Sequence, residues 1–374
     1  MTTSDGPTEP QGLVSAVLSE AAEMGLDERA RFIEERCEGN PAALSQVHRI
    51  LNWAETFGSF LEKPAISRAK PEMRLQPGSL IAGRFRIEEL VGRGGMGEVY
   101  RATDLSGETV AVKAVRAAWS RTPAIVGMFS SEVSKARRVS HYNIVNVHDL
   151  FSSGERDEQV LFCAMEFLEG ETLATRVARG AKPALPDLLD LAGQCAKGLE
   201  AAHQEGIVHG DLKPSNIFLC PKRGGGTRVV ITDFGIARFF EEDGSGDGHQ
   251  KLVAGSPDYM APEQFAGQAL SPATDTYALA LTAFEYATGR RPWPADNPLS
   301  AVVLRLQQRP PSIAEWRQDL PRAWDAVFRR ALSVEPDLRY PSAPALADAL
   351  ERAAGVRGTR ISRRSFGAIA GGAG

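Results

Sequence analysis

The 374-residue chain has no run of about 20 apolar residues, so nothing in it reads as a bilayer-spanning helix. Its first residues are polar and carry no apolar segment of signal-peptide type. Charge of one sign is not in excess either. Lys and Arg number 43 against 47 Asp and Glu, a formal net charge of −4, which gives no global nucleic-acid or membrane signal. Cysteine is scarce: Cys37, Cys163, Cys195 and Cys220 lie far apart with no CxxC pair. That fits reduced thiols in a cytoplasmic setting better than a disulfide or zinc framework. What remains is ordinary globular composition, 43% hydrophobic and 24% charged, in a chain long enough for one large domain and a smaller one.

The chain is organised around residues 209–216, His209-Gly210-Asp211-Leu212-Lys213-Pro214-Ser215-Asn216. A carboxylate, an ammonium and an amide this close together form a kit for phosphoryl transfer. Asp211 can orient an attacking hydroxyl and accept its proton. Lys213 can neutralise charge on the moving group, and the Asn216 amide oxygen can hold a magnesium ion. Pro214 favours a tight loop over a helix. The apolar runs Ile207-Val208 and Ile217-Phe218-Leu219 flank that loop like two short strands. A bare surface turn could hold the same residues, so the case rests on partners elsewhere.

Strand-like text covers Ser79–Leu90, Glu98–Ala102 and Thr109–Val115, and between the first two lies Gly92-Arg93-Gly94-Gly95-Met96-Gly97. In so glycine-rich a chain a GxGxxG arises by chance roughly 0.3 times, so context must decide. A dinucleotide-binding fold needs a helix straight after the glycines. Here a strand follows, then a second carrying Val110-Ala111-Val112-Lys113. A glycine-rich hairpin with a lysine on the next strand is a different device.

These motifs, with Asp233-Phe234-Gly235 and the stretch Gly255–Glu263 ending in Ala261-Pro262-Glu263, resemble a bacterial eukaryotic-like (Hanks-type) serine/threonine protein kinase over residues 80–354. The implied fold class is α+β and two-lobed, with a small antiparallel-sheet lobe bearing one helix over a mostly helical lobe. The resemblance implies Gly92, Gly94 and Gly97 over the phosphates of ATP, and Lys113 on the α- and β-phosphates. Lys113 would be paired with Glu132 of the helical segment from Phe129 to Arg138. Val99 and Ala111 would cover the adenine from above and Phe218 from below. Met165 would lie behind the base, with backbone of Glu166 and Leu168 at its edge. Asn216 and Asp233 would be ligands of Mg2+, or of Mn2+ in its place. Ser256 would bond near Asp211 and Lys213, Glu263 would pair with Arg339 in a buried ion pair, and Asp275 would brace the catalytic loop. The implied substrates are Ser and Thr hydroxyls of proteins; no nucleic-acid partner is expected.

The chain departs from the family where an arginine usually precedes the catalytic aspartate, since Gly210 stands there. Ser245 is the one hydroxyl residue in the acidic, glycine-rich segment 236–254. With clamp and acceptor both reduced, activity is expected not to depend on phosphorylation of that segment. Two rivals compete: a pseudokinase scaffold, and a small-molecule phosphotransferase such as the aminoglycoside and choline kinases, whose loop His-Gly-Asp also resembles.

Outside the kinase-like stretch, residues 1–12 read as a disordered tail. Residues 13–61 have helical apolar spacing in three stripes, the third opened by Asn40 as N-cap and Pro41 at the first helical position. This is a small all-α module, for docking or regulation by a partner or simply packed on its neighbour. A Pro- and charge-bearing linker spans 62–79. The tail, 355–374, carries Arg357, Arg360, Arg363 and Arg364 before a Gly/Ala run too short to span a bilayer. It is read as a disordered basic tail, with a stretch leading into a membrane segment of a longer relative as the alternative, and any membrane association is expected through it alone. The expected location is the cytoplasm or its membrane face.

Overall fold

The computed structural model describes residues 10–21, 24–62, 75–94, 97–115, 137–153, 160–234, 257–295 and 297–355. Three helices come first: α1 (Pro10–Ala21), α2 (Leu26–Arg36) and α3 (Pro41–Glu62). Helix α1 starts inside the stretch expected to be disordered. Helix α3 begins where its cap residues say it should, with the Ala43 N–H donating to Asn40 Oδ1 at 3.0 Å.

A six-stranded antiparallel sheet follows, in the order β1-β2-β3-β4-β6-β5. Its strands are β1 (Leu80–Ile81), β2 (Phe85–Gly94), β3 (Gly97–Thr103), β4 (Thr109–Val115), β5 (Val147–Ser153) and β6 (Val160–Glu166). The expected single strand over 79–90 is in fact a hairpin. It turns at Ala82 and Gly83, both left-handed with φ of 49° and 66°. One face of the sheet alternates into a core of Phe85, Ile87, Tyr100, Ala102, Val110, Val112 and Phe162. Phe151 stacks between Phe85 and Phe162, with ring centroids 5.1 and 5.5 Å away. Residues 116–136, and with them Glu132 and most of the expected helix, lie outside the described residues.

The second lobe is built on α5 (Leu185–Gln204) and α7 (Pro272–Thr288), reached through β7 (Glu171–Thr172) and α4 (Leu173–Ala178). Helix α7 is buried nearly all round, from Thr274 to Phe284, which suits its unbroken apolar text. It ends at Gly289, whose φ of 72° supplies the left-handed cap. A small sheet, β7-β8-β9, adds β8 (Ile217–Pro221) and β9 (Thr227–Ile231). Short α6 (Pro262–Phe265), then α8 (Pro298–Gln307), α9 (Trp324–Ala331) and α10 (Ala343–Ala353) complete the lobe. The Ile207-Val208 pair, expected as a strand, joins no ladder. The Ile207 N–H donates to Ala202 O at 2.9 Å, closing the end of α5 instead.

Candidate active site

The loop between α5 and β8 carries Asp211, Lys213 and Asn216, and its shape is set by hydrogen bonds from three directions. Asp275, fully buried near the start of α7, accepts the His209 N–H at 2.8 Å and the Gly210 N–H at 2.9 Å. His203 Nε2 lies 2.7 Å from the same carboxylate. The Asp211 N–H donates to His209 Nδ1 at 3.1 Å, so the other ring nitrogen, 2.9 Å from Thr232 O, carries the proton. That ring packs on Phe234 at 4.6 Å between centroids. Gly210 has φ of 72°, and a Cβ there would meet Leu270 Cδ1 at 3.0 Å. The position of the missing arginine is therefore a left-handed backbone site with an apolar neighbour.

Within the loop the Lys213 ammonium donates to Asp211 Oδ2 at 2.7 Å, and Asn216 Nδ2 donates to the Asp211 carbonyl at 2.9 Å. Asp233 reaches the same region from the end of β9. The register Ile217↔Ile231 places Thr232 beside Asn216, and the Thr232 N–H donates to Asn216 O at 2.9 Å. Asp233 has a left-handed φ of 60°, strain of the kind that persists where the surroundings fix it. Its Oδ1 accepts from Lys113 Nζ at 2.6 Å. Burial alone would raise this carboxyl. The Lys113 ammonium, which also hydrogen-bonds it, with Lys213 further off, holds it below the usual carboxylate value. Lys113 is itself 6% exposed on β4, so this pair ties the two lobes together. A carboxylate and an amide oxygen are hard donors suited to Mg2+ in a site completed by phosphates.

Gly92, Gly94 and Gly97 lie at the paired ends of β2 and β3, with Gly94 opposite Gly97 and Gly92 opposite Val99. Their constraints differ. A Cβ on Gly97 would lie 1.9 Å from Ala114 O, whereas one on Gly92 meets only Val99 Cβ at 4.0 Å. Gly97 is thus demanded by the β3–β4 ladder, independently of any phosphate. Ala111 pairs with Met165 across β4 and β6, and Met165, Leu168 and Phe218 pack together against Val145, Cys220 and Val230. This is the apolar end of the cleft. The Glu166 N–H donates to Asn146 O at 2.8 Å, so its amide is already engaged within the protein.

Glu263 and Arg339 form a bidentate pair, Nη1–Oε1 2.8 Å and Nη2–Oε2 2.7 Å, both residues nearly sealed from water. Arg339 also donates to Ser333 O, Ala273 O and Val334 O, satisfying all five of its N–H groups. Breaking such a pair from one side costs roughly 3–5 kcal/mol. Ser256 lies outside the described residues. Sequence reasoning missed three supports. Gln264 Nε2 donates to Gly210 O at 2.9 Å, His203 backs Asp275, and Arg228 pairs with Glu166 while donating from Nε to Tyr142 O at 2.9 Å. Only His203 had a local signal, a histidine at the end of the helix that leads into the loop.

Comparison with known proteins places the arrangement. The family model for the protein kinase domain matches residues 85–349, and the chain belongs to the protein kinase family. It is 34% identical over 275 residues to the serine/threonine-protein kinase PknA of Mycobacterium tuberculosis, covering 73% of this chain and 62% of that one. It is 35% identical over 283 residues to Pkn1 of Myxococcus xanthus, covering 75% of this chain and 40% of the relative. The match thus spans about three fifths or less of these curated relatives. Among solved structures the kinase domain of M. tuberculosis PknI is similar, with a TM-score of 0.59 and 30% identity over 75% of this chain and all of that one. The two-lobed α+β kinase fold follows from both comparisons.

Proposed function

We propose that the chain is a serine/threonine protein kinase that transfers the γ-phosphoryl group of ATP to protein hydroxyls. The observation that carries the reading is the convergence of Lys113, Asp211, Lys213, Asn216 and Asp233 through hydrogen bonds of 2.6–2.9 Å on one face between the lobes. Asp211 orients the acceptor hydroxyl and takes its proton as the oxygen bonds to phosphorus. The bond from phosphorus to the β,γ-bridging oxygen breaks, and ADP departs with that electron pair. Lys213 offsets charge on the moving group, and Lys113 turns from Asp233 to the α- and β-phosphates when nucleotide enters. Asn216 and Asp233 are the residues that would hold Mg2+, or Mn2+ in its place, and the ion would supply neutralisation of the phosphates' charge. Catalysis is positioning plus preorganised charge.

Turnover on this reading needs no phosphate on residues 236–254, because the loop is already held by Asp275, His209 and Gln264. Four buried, unpaired thiols and a need for Mg-ATP support a cytoplasmic site of action. The test is transfer of labelled phosphate from Mg-ATP to a basic protein, comparing wild type with Asp211→Asn. We expect label on Ser or Thr from wild type and a rate about 10²–10⁴-fold lower from the variant, with nucleotide binding retained. Nucleotide binding without transfer by wild type would turn the reading into a pseudokinase scaffold. A required, stoichiometric phosphate within 236–254 would overturn the independence from phosphorylation.

A further inference from the structure

The core of the N-terminal helices is not closed within them. Val14, Val17, Leu18, Val47, Ile50 and their neighbours close into one apolar cluster with Met260, Phe265 and Val302 of the second lobe. Leu299, Val303 and Leu306 of α8 pack at its margin. The Gln307 amide, at the end of α8, donates to Ser15 O of α1 at 3.0 Å. Met260 and Phe265 bracket Ala261–Gln264, the stretch whose Glu263 is locked by Arg339 and whose Gln264 reaches the catalytic loop. Arg305 of α8 lies over the Phe265 ring at 5.5 Å and donates to the Asp258 carbonyl. Residues 258–265 are therefore held on three sides: by the loop bearing Asp211, by Arg339 beneath, and by the helical module outside.

We infer that the N-terminal module is a permanent brace that positions residues 258–265 as the wall against which a protein acceptor lies. The inference rests on the kinase reading above. A hydroxyl delivered to Asp211 brings its flanking peptide past this wall, because Gln264 is hydrogen-bonded to the residue next to Asp211. Permanence follows from the shared core. Val17, Leu18, Val47 and Val302 have no exposed surface, and a three-helix segment of this size is marginal by itself, so the shared contact adds to its hold. Lifting it off would put Met260, Phe265 and Val302 into water together. A reversible flap is built from the loosely packed end of a structure, and this contact is at the other end.

The experiment uses the full chain with Val47→Asp, which places a charge in the shared core, and Leu18→Ala, which leaves a cavity there. We expect the KM for a basic protein acceptor to rise about tenfold in Val47→Asp and less in Leu18→Ala. The KM for ATP, acceptor-free ATP hydrolysis and the nucleotide-induced rise in melting temperature should hold. Unchanged acceptor KM in both variants would overturn the brace. Faster transfer would overturn it too, making the module an inhibitor. Should Val47→Asp lose the nucleotide-induced shift, Leu18→Ala decides by the same criteria. A wild type without transfer counts against the kinase reading alone. The brace is then judged by amide hydrogen exchange at 258–265, which must quicken in both variants and which, unchanged, sinks it.

Discussion

Lys113 and Asp233 show how one pair can serve two states. In the folded chain two oppositely charged groups at 2.6 Å offset each other's cost of burial. Because the folded carboxyl titrates below its ordinary 3.8, its contribution to stability is complete above that value and is lost as pH falls through the lower folded one. Melting temperature followed from pH 7 downward should therefore decline below about pH 4 in wild type, and that decline should be shallower in Lys113→Met, whose Asp233 has lost the partner that depressed it. An equally steep acid limb in both proteins would show that the pair carries no such linkage. Asp275 is the quieter counterpart. Its two oxygens serve two backbone N–H groups and His203, so it shapes the loop and takes no part in the chemistry. The nearness of Asp211, Lys213 and Asn216, and the Glu263–Arg339 pair, were legible in the text because each position calls for a particular functional group. Gln264 was not, since an amide reaching 54 residues back to a carbonyl leaves no local pattern.

Among the elements, the β2–β3 hairpin separates two reasons for conserving space. Gly97 has φ of 149° and its missing Cβ would strike the Ala114 carbonyl, backbone that cannot step aside without opening the β3–β4 ladder. Gly92 faces no such obstacle. We expect Gly97→Ala to lower the melting temperature by several degrees, in the range of a typical destabilising core change of about 1–3 kcal/mol. Gly92→Ala should stay within about 0.5 kcal/mol of wild type. Calorimetry of the two variants without nucleotide checks this, and equal destabilisation would refute the distinction. The strand text of β3 and β4 was readable to within a residue or two: β3 alternates in burial from Tyr100 on, while β4 is a short apolar run buried on both faces. The break at Ala82 was not, as an alanine gives no warning of a left-handed turn. Nor was the fate of Ile207-Val208, where apolar text marks burial but the backbone bonds go to a helix end.

At the scale of the molecule, the larger apolar cores among the described residues are those of the sheet lobe, the helical lobe, and the cluster shared by the N-terminal helices with α8. Helical periodicity announced that α1–α3 hide a face, yet it could not name the surface opposite, since any apolar ridge of the right pitch satisfies the same pattern. Met260 and Val302 lie more than 190 residues beyond the last of those helices, too far for spacing to connect them. The cysteines, met first as a shortage, are distributed over these parts. Cys37 sits in the shared cluster, Cys163 on β6 and Cys195 in the helical lobe, all buried. Burial pushes the Cys163 and Cys195 thiols up to about 12 and raises Cys37 as well, so each is mute towards alkylating reagents until its surroundings open. The folded chain thus carries a clock in each of its parts. Timed alkylation read cysteine by cysteine in a mass spectrometer should start all three together if the protein opens as a unit, and start Cys37 alone if the N-terminal helices come away first.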